Sequence, residues 1–580
     1  MKYEPSYKRQ KWRFSSLGQD GAEIPALAQD LNIPQWQVKL LGQRQLLTAD
    51  KIRAFMQPTL ESLPSPFLFK EMNRAVRIFA ETMSSRSSLV IVADYDVDGV
   101  TAAAVLARFF TTLGLKFSCL HPNRFKDGYG LKAELVRRVV NEPGLVITAD
   151  CGISDAAEVE TLKDAGWRII ITDHHQPPDH LPPADAILNP WLKGCGFPFN
   201  DLAGVGVAFY LVMGIRNYLV QKKFWLPGRA PNLKKILDLV AVGTIADMVK
   251  LHGVNRTLAK AGLDVIDRQT NEGLRQLIGL AGVDRPVNAG DISFQIAPRL
   301  NAAGRLGEAG RASELLTSNN RLQAGKLAAV LDQENTRRKE ITGDIVSEAM
   351  SMAQRLMSAN KHCLVLHGQA WHEGLIGIAA SKLVNQFYRP TIILTGREIL
   401  RGSARSIPGV DIHVLLKRCD DLLIAYGGHS AAAGLSINID QLAQFNQRLE
   451  DYLDEIWPGI DSTAAQIIDM AIKGNIKIHE LIEFNQLLQP FGQGNPEPVY
   501  CPEDPCRLRN IRLIGKERSH VRFDALINGE WLNVIGFGFG KGALKGLTER
   551  RVGCRIAFHL QYNTFRGQRK LQLQLLDFIL

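Results

Sequence analysis

The segment Asp94-Tyr95-Asp96-Val97-Asp98-Gly99 sets three carboxylates within five residues. Carboxylates this close repel one another, so the grouping is costly without a compensating cation. It follows the apolar run Leu89–Val92 and precedes a helical pattern over Thr101–Leu113. Alone, it also reads as a solvated acidic turn that caps a helix. Two further runs decide between these readings. Leu145–Thr148 leads into Ala149-Asp150-Cys151-Gly152, and Arg168–Thr172 leads into Asp173-His174-His175. In a parallel α/β sheet all strand C-termini open on one edge, where ligands bind. Three strands that deliver aspartate and histidine to one edge predict a metal centre.

The donor types select the ion. Carboxylates and imidazoles without thiolate suit Mn²⁺ or Mg²⁺, with Zn²⁺ a poorer match. Such a set can neutralise two divalent ions about 3.5–4 Å apart, a pair that activates water and stabilises the leaving oxygen of a phosphate ester. Phosphoester hydrolysis is therefore the predicted chemistry.

Three kinds of element must position these groups. Between about 85 and 250, short β-branched runs alternate with amphipathic helices, which predicts a parallel sheet covered on both faces. From 310 to 358, Leu322, Leu327, Val330, Leu331, Ile341, Ile345 and Met350 recur at helical intervals among charges, predicting one or two long helices. A second α/β pattern follows, with strands at Cys363–Leu366 and Thr391–Leu394 and a helix from Ile376 to about Phe387. After Pro490, four nearly alternating runs (Arg507–Ile514, His520–Leu526, Trp531–Phe537 and Arg555–Tyr562) predict a small barrel or sandwich.

Composition narrows the partners. Of a net charge of +10, +7 falls within Cys501–Leu580, where 14 Lys and Arg face 7 Asp and Glu. A basic C-terminal module that binds an acidic polymer is expected. The 8 cysteines form no C-x-x-C pair, which argues against a zinc ribbon and for reduced thiols. No apolar signal core or run of about 18 apolar residues appears, so a soluble, cytoplasmic protein without membrane contact is expected.

The three acidic and histidine segments resemble the first three motifs of the DHH phosphoesterase superfamily, and Gly243-Thr244-Ile245-Ala246-Asp247-Met248-Val249 resembles the fourth. Within it, the chain is most similar to the bacterial single-strand-specific 5′→3′ exonucleases. The segments Ala297–Arg305, His372–Gly377 and Gly402-Ser403-Ala404-Arg405 carry that likeness. Gly427–Gly434 marks an accessory domain of the DHHA1 type. From about residue 55 on, the resemblance implies a DHH-type parallel-sheet domain (55–309), a connecting helix (310–358), a DHHA1-type α/β domain (359–458) and an OB-like β-barrel domain (459–580); before it, Pro34 and Pro58 mark breaks in what reads as an N-terminal helical extension (1–54).

The resemblance also implies roles. Asp96 would bind one metal and Asp98 the other, with Asp150 bridging. His174 and Asp247 would complete the ligands of the second metal, and His175 would face the scissile phosphate. Val92 stands where many relatives carry a histidine ligand; either Asp94 substitutes there or the first metal binds weakly, and the alternative role for Asp94 is to orient the loop through backbone amides. Asp247 also ends the apolar stretch Ile236–Ala246, where an aspartate can simply cap the next helix. Asp173 reads as structural.

Arg299, Asn301 and Arg305 lie among small residues that permit close approach of a phosphate backbone. Ser403 and Arg405, two apart on an extended segment, share a side and suit phosphate binding. In the resembling enzymes such residues hold the 5′ end, and Arg124, His372 and His429 are further candidates, with ordinary ion pairs or packing as their alternatives. In the tail, Arg507, Arg509, Arg512, Arg518 and Arg522 are placed to track a backbone while Phe523, Trp531, Phe537 or Tyr562 stack bases. More than half of those aromatics are expected in the core.

The predicted function is hydrolysis of single-stranded DNA to mononucleotides, for which the resemblance alone implies the 5′→3′ direction and a role in recombination and repair. A narrow cleft between the two α/β domains would exclude a duplex. Single-strand-binding protein and a recombination helicase are the implied partners, and a monomer the implied state. The main alternative is a DHH phosphodiesterase acting on short oligonucleotides or RNA, and the basic tail argues against it. A non-catalytic scaffold would have lost the acidic ligands, and a pure single-strand binder would not need them.

Overall fold

The computed structural model describes residues 6–15, 23–123, 126–306, 309–550, 552–565 and 568–580. Two compact units divide the chain. One comprises Met1–Arg13, Asn335–Ile467 and Asp577–Leu580, and the other Phe14–Glu334 and Ile468–Leu576.

The larger unit is built on a parallel five-stranded sheet of β1 (Leu89–Ala93), β2 (Ser118–Leu120), β3 (Leu145–Ala149), β4 (Arg168–Thr172) and β5 (Ala186–Leu188). Its order is β2-β1-β3-β4-β5. Strand side chains alternate between faces, and both faces here are buried. Leu89, Ile91, Leu145, Ile147 and Ile170 join one core cluster, while Val90, Val92, Val146, Ile169 and Ile171 join another. The expected runs thus match the strands to within a residue. Beyond the first face lie α1 (Val97–Thr112), α2 (Gly204–Gln221) and α3 (Leu237–Ala246). Because β2 lies to one side of β1 and β3 to the other, the strand order reverses between β1 and β3. Such a switch point is where open α/β sheets bind ligands.

The chain continues through α4 (Ala297–Leu306), α5 (Gly310–Thr317) and the 38-residue α6 (Arg321–Ser358). The segment expected as a connecting helix over 310–358 is therefore two helices. The division between units falls inside α6, at Asn335. Accordingly Ala324, Ala328 and Leu331 are buried in its first half, and Ile345, Ala349 and Ala353 in its second.

The smaller unit carries β6 (Leu364–His367), α7 (Glu373–Phe387), β7 (Thr391–Thr395), β8 (Ile399–Arg405), β9 (Leu423–His429), β10 (Ala432–Asn438) and α8 (Leu442–Ile456). The sheet order is β9-β10-β8-β7-β6, with β6 and β7 parallel and the other pairs antiparallel.

Within the larger unit, β11 (Cys506–Ile514), β12 (His520–Ile527), β13 (Glu530–Gly536), β14 (Val552–Phe565) and β15 (Gln568–Ile579) pair in the order β14-β11-β12-β13-β15, and β14 pairs again with β15. That last pairing closes a five-stranded barrel, as OB folds do.

The extension expected to be helical does hold helices at Glu23–Leu31, Gln35–Gly42 and Ala49–Met56, but it opens with a strand, Lys11–Phe14, paired with Ala465–Ile468. The period-2 pattern is short and hidden by charge: Trp12 is buried, while Lys11 and Arg13 turn outward to Asp461. The Trp12 indole donates to Asp577 Oδ2 at 3.0 Å, and the Lys8 amide donates to Oδ1 at 3.1 Å.

Candidate metal centre

The site is assembled at the switch point. After β1, Asp96 caps α1, accepting from Gly99 N–H at 3.1 Å. Asp98 then falls in the first turn of α1, 1 % exposed. Its carboxylate accepts from Gly204 N–H at 2.6 Å and Val205 N–H at 2.8 Å. These amides open α2, and a helix N-terminus favours negative charge. After β3, Asp150 takes a left-handed backbone (φ 62), a cost that persists where the surroundings impose it.

After β4, Asp173 is the organiser. Its Oδ1 accepts from His174 N–H at 2.7 Å, His175 N–H at 3.0 Å and His175 Nδ1–H at 2.8 Å, and its Oδ2 accepts from Ile153 N–H at 3.0 Å. Burial alone would raise this carboxyl, but the bonds from His175 hold it below its ordinary value. With Nδ1 committed, the half-exposed His175 presents Nε2 outward.

His174 Nε2 lies 3.2 Å from Asp150 Oδ1, 3.7 Å from Asp247 Oδ2 and 3.9 Å from Asp98 Oδ2. Three overlapping donor sets result: Asp94, Asp96 and Asp150; Asp98, His174 and Asp247; and Asp150, His174 and His175, the donor atoms of each within 4.8 Å of one another. Asp247 does not cap the next helix, which starts at Gly253; it follows the last turn of α3 and points into the cluster. Val92 is wholly buried in β1, and Asp94 stands with the ligand set.

Electrostatics state what is missing. Burial, then the charge of Asp96, pushes Asp98 up to about 7. Burial and neighbouring carboxylates push Asp150 and Asp247 well above the usual range. Burial, then His175, brings His174 down to about 4, leaving its imidazole neutral with a lone pair to give. Asp150 Oδ1 and Asp247 Oδ2 are buried and accept no hydrogen bond. Orphaned carboxylate oxygens around a neutral imidazole fit divalent cations, which deprotonated ligands hold most tightly.

Several participants carried no sequence signal strong enough to single out. A Cβ on Gly204 would stand 2.4 Å from Asp150 Oδ1, and one on Gly243 would stand 2.1 Å from Thr101 Oγ1 and 3.0 Å from Asp98 Oδ1. A glycine that opens an apolar helix, as Gly204 does, is the readable trace. Tyr129, between two glycines, donates to the Asp150 carbonyl at 3.5 Å. His121 donates from Nδ1 to the Asp94 carbonyl at 3.0 Å and accepts from Ser313 Oγ at 2.7 Å, bracing the acidic turn.

The phosphate-binding candidates fall in three places. In α4, Gly304 packs where a Cβ would stand 2.5 Å from the Tyr95 carbonyl, so α4 passes against the acidic turn with Asn301 three residues before that contact and Arg305 next to it in sequence. Arg299 is engaged: its Nε donates to Asp332 at 2.8 Å and its Nη1 to the Gln295 carbonyl at 2.7 Å. In the smaller unit, Arg405 Nη1 donates to Ser403 Oγ at 2.9 Å. A Cβ on Gly377 of α7 would stand 2.9 Å from both side chains, and His372 caps that helix through Gly374 N–H at 3.2 Å. His429 is exposed at the end of β9. Arg124 lies outside the described residues.

On the barrel, Phe523 is buried, but Trp531, Phe537 and Tyr562 are exposed. This corrects the expectation that more than half would be core. Aliphatic residues such as Val521, Ile527, Val534, Ile556 and Leu573 fill the interior instead. The Arg509 guanidinium stacks on Trp531 at 4.0 Å. Arg512 faces Arg522 directly across β11 and β12, and both line a polar hollow of about 380 Å³ with Asn510 and Asn533. Like charges directly opposite destabilise a sheet, and the Asp524 carboxylate, which lines the same hollow, offsets part of that charge.

A parallel sheet whose switch point gathers aspartates and histidines from β1, β3, β4 and α3 defines a DHH-type domain. Family models match: the N-terminal domain of the DHH family over residues 88–244, the DHHA1 domain over 360–455 and the RecJ OB domain over 468–577. The single-stranded-DNA-specific exonuclease RecJ of Bacillus subtilis is 35% identical, over 98% of this chain and 71% of its own length. That of Haemophilus influenzae is 37% identical, over 90% of this chain and 92% of its own. A crystal structure of RecJ in complex with Mn²⁺ from Thermus thermophilus superposes with a TM-score of 0.82 at 27% identity, covering 98% of this chain and 79% of that one. The chain belongs to the RecJ family.

Proposed function

We propose that this chain is a single-stranded-DNA-specific exonuclease that hydrolyses phosphodiester bonds with Mn²⁺ or Mg²⁺ and removes nucleotides from the 5′ end. The observation that carries it is the buried group Asp98, Asp150, His174 and Asp247, with carboxylate oxygens that nothing in the protein satisfies. Asp94, Asp96 and Asp150 would hold one ion, and Asp98, His174 and Asp247 the other, with Asp150 shared. Bound cations supply positive charge against the phosphate and the Lewis acidity that makes water nucleophilic at neutral pH.

The chain's own groups do the rest. Asp173 orients His175 and favours its protonated form, so that the imidazolium Nε2–H donates to a non-bridging phosphate oxygen as charge builds there. Asn301 and Arg305, on the helix that passes the acidic turn, steer the backbone. Ser403 and Arg405, with the capped start of α7, form an anion pocket for the 5′ end. The barrel supports the choice of a long single strand, with exposed aromatics to stack bases and facing arginines to take phosphates. No helix among the described residues is long and apolar enough to cross a membrane. The resemblance supports a cytoplasmic monomer that works with single-strand-binding protein and a recombination helicase.

The test is digestion of 5′-labelled and 3′-labelled single-stranded and duplex DNA with Mn²⁺, Mg²⁺ or EDTA, for wild type and Asp150→Ala. Metal-dependent release from the 5′ end of single strands, abolished in the variant, is the expected result. Activity confined to dinucleotides or RNA, or binding without hydrolysis, would sink the proposal.

A further inference from the structure

The smaller unit holds a second group of metal-type donors that shares no residue with the first. Glu450 and Asp454 lie four residues apart on α8 and so share a helix face. His362 enters from the segment before β6, its Nδ1 3.0 Å from Asp454 Oδ1 and 3.8 Å from Glu450 Oε2. One donor atom from each residue falls within 4.8 Å of the others.

Two observations separate this group from an ordinary ion pair. His362 Nδ1 is buried yet makes no hydrogen bond. The Asp454 oxygen is near enough, but it lies off the line an N–H would take. A buried ring nitrogen that makes no hydrogen bond beside two carboxylates keeps a lone pair for a cation seated among them. The donors are also oriented in advance. Glu450, 8 % exposed, accepts from His362 N–H at 3.1 Å through Oε2 and from Cys363 N–H at 2.9 Å through Oε1. The His362 ring packs on Trp457 with centroids 4.4 Å apart. Outer contacts of this kind fix ligand geometry before an ion arrives.

We infer that His362, Glu450 and Asp454 form a divalent-cation site in the accessory domain. One imidazole and two carboxylates without thiolate suit a hard or borderline divalent ion, for which Zn²⁺ serves as the probe. The Asp454 side chain, 65% exposed, leaves the remaining positions to water. The ion fastens the chain entering β6 to the C-terminal half of α8, a structural role distinct from hydrolysis.

The experiment counts ions. Full-length protein is stripped with chelator and dialysed against Zn²⁺ alone, and zinc per chain is measured for wild type, Asp454→Ala, His362→Gln and Asp150→Ala. At saturation Asp454→Ala and His362→Gln each bind one ion per chain fewer than wild type. Asp150→Ala keeps that ion, and the Co²⁺-loaded protein loses a visible absorption band with the first two variants alone. Asp454 is exposed, so its alanine variant separates ligand loss from misfolding. Equal zinc counts in wild type and both variants, or a lowered melting temperature with no change in count, overturns the site and leaves an ion pair.

Discussion

At Asp98 two demands conflict. The side chain is buried where an ionised carboxylate is costly, yet it is aimed at the amides of α2 that welcome its charge. Its folded pKa, about 7, lies above the ordinary value of 3.8. Its ionisation therefore opposes folding: stability is highest when the pH is below both values and is lost as pH rises through 7. Divalent cations reverse this. The rise in melting temperature on adding Mn²⁺ should be larger at pH 8 than at pH 6, measured by calorimetry against a chelator control. A rise independent of pH would mean these carboxylates are not the ligands. His175 belongs at this scale too. His175→Ala should lower kcat by about 10²–10³-fold while the number of bound Mn²⁺ ions stays the same; an unchanged single-turnover rate would remove it from the reaction.

The elements decide how much could be read in advance. Strands β1, β3 and β4 were legible because β-branched runs buried on both faces leave an unbroken apolar signature, and the motifs at their ends marked the site. The helix α1 begins at Val97, not Thr101, because Asp96 caps it; periodicity alone does not register a cap. The exposure of Trp531 and Phe537 was illegible for another reason. Alternation shows that a strand has two faces, but not which is the barrel interior. His121 and Tyr129 act through backbone carbonyls, whose partners depend on tertiary approach. The arginines across β11 and β12 yield a prediction at this level. Arg512→Ala and Arg522→Ala should each raise KM for long single strands, leave kcat nearly unchanged, and flatten the salt dependence of binding by about one phosphate contact. An unaltered salt slope would mean the hollow they line takes no phosphate.

Across the larger unit, one side chain joins three parts of the chain. Arg256, 1 % exposed, donates from Nε to the Phe55 carbonyl at 2.8 Å, from Nη1 to Leu488 at 2.9 Å and from Nη2 to Leu487 at 3.0 Å. Its guanidinium lies over the Phe55 ring at 3.7 Å. It thus ties an N-terminal helix and the helix preceding the barrel to the phosphoesterase core. Arg256→Met keeps the volume but strands the Phe55 and Leu487 carbonyls, while Leu488 still accepts from Asn495 Nδ2 at 2.8 Å; it should cost roughly 2–4 kcal/mol in urea unfolding, and an unchanged midpoint would show that the three parts hold without it.

The contact between Trp12 and Asp577 has a consequence in time. The two partners are 565 residues apart in sequence. At roughly 5–20 residues per second on the ribosome, the tryptophan waits on the order of half a minute to two minutes for its acceptor to be made. Throughout that interval the strand around it lacks its final anchor and is open to proteases and chaperones. A polypeptide released early from a stalled ribosome never closes this contact, so an exposed Trp12 segment distinguishes an unfinished chain from a finished one.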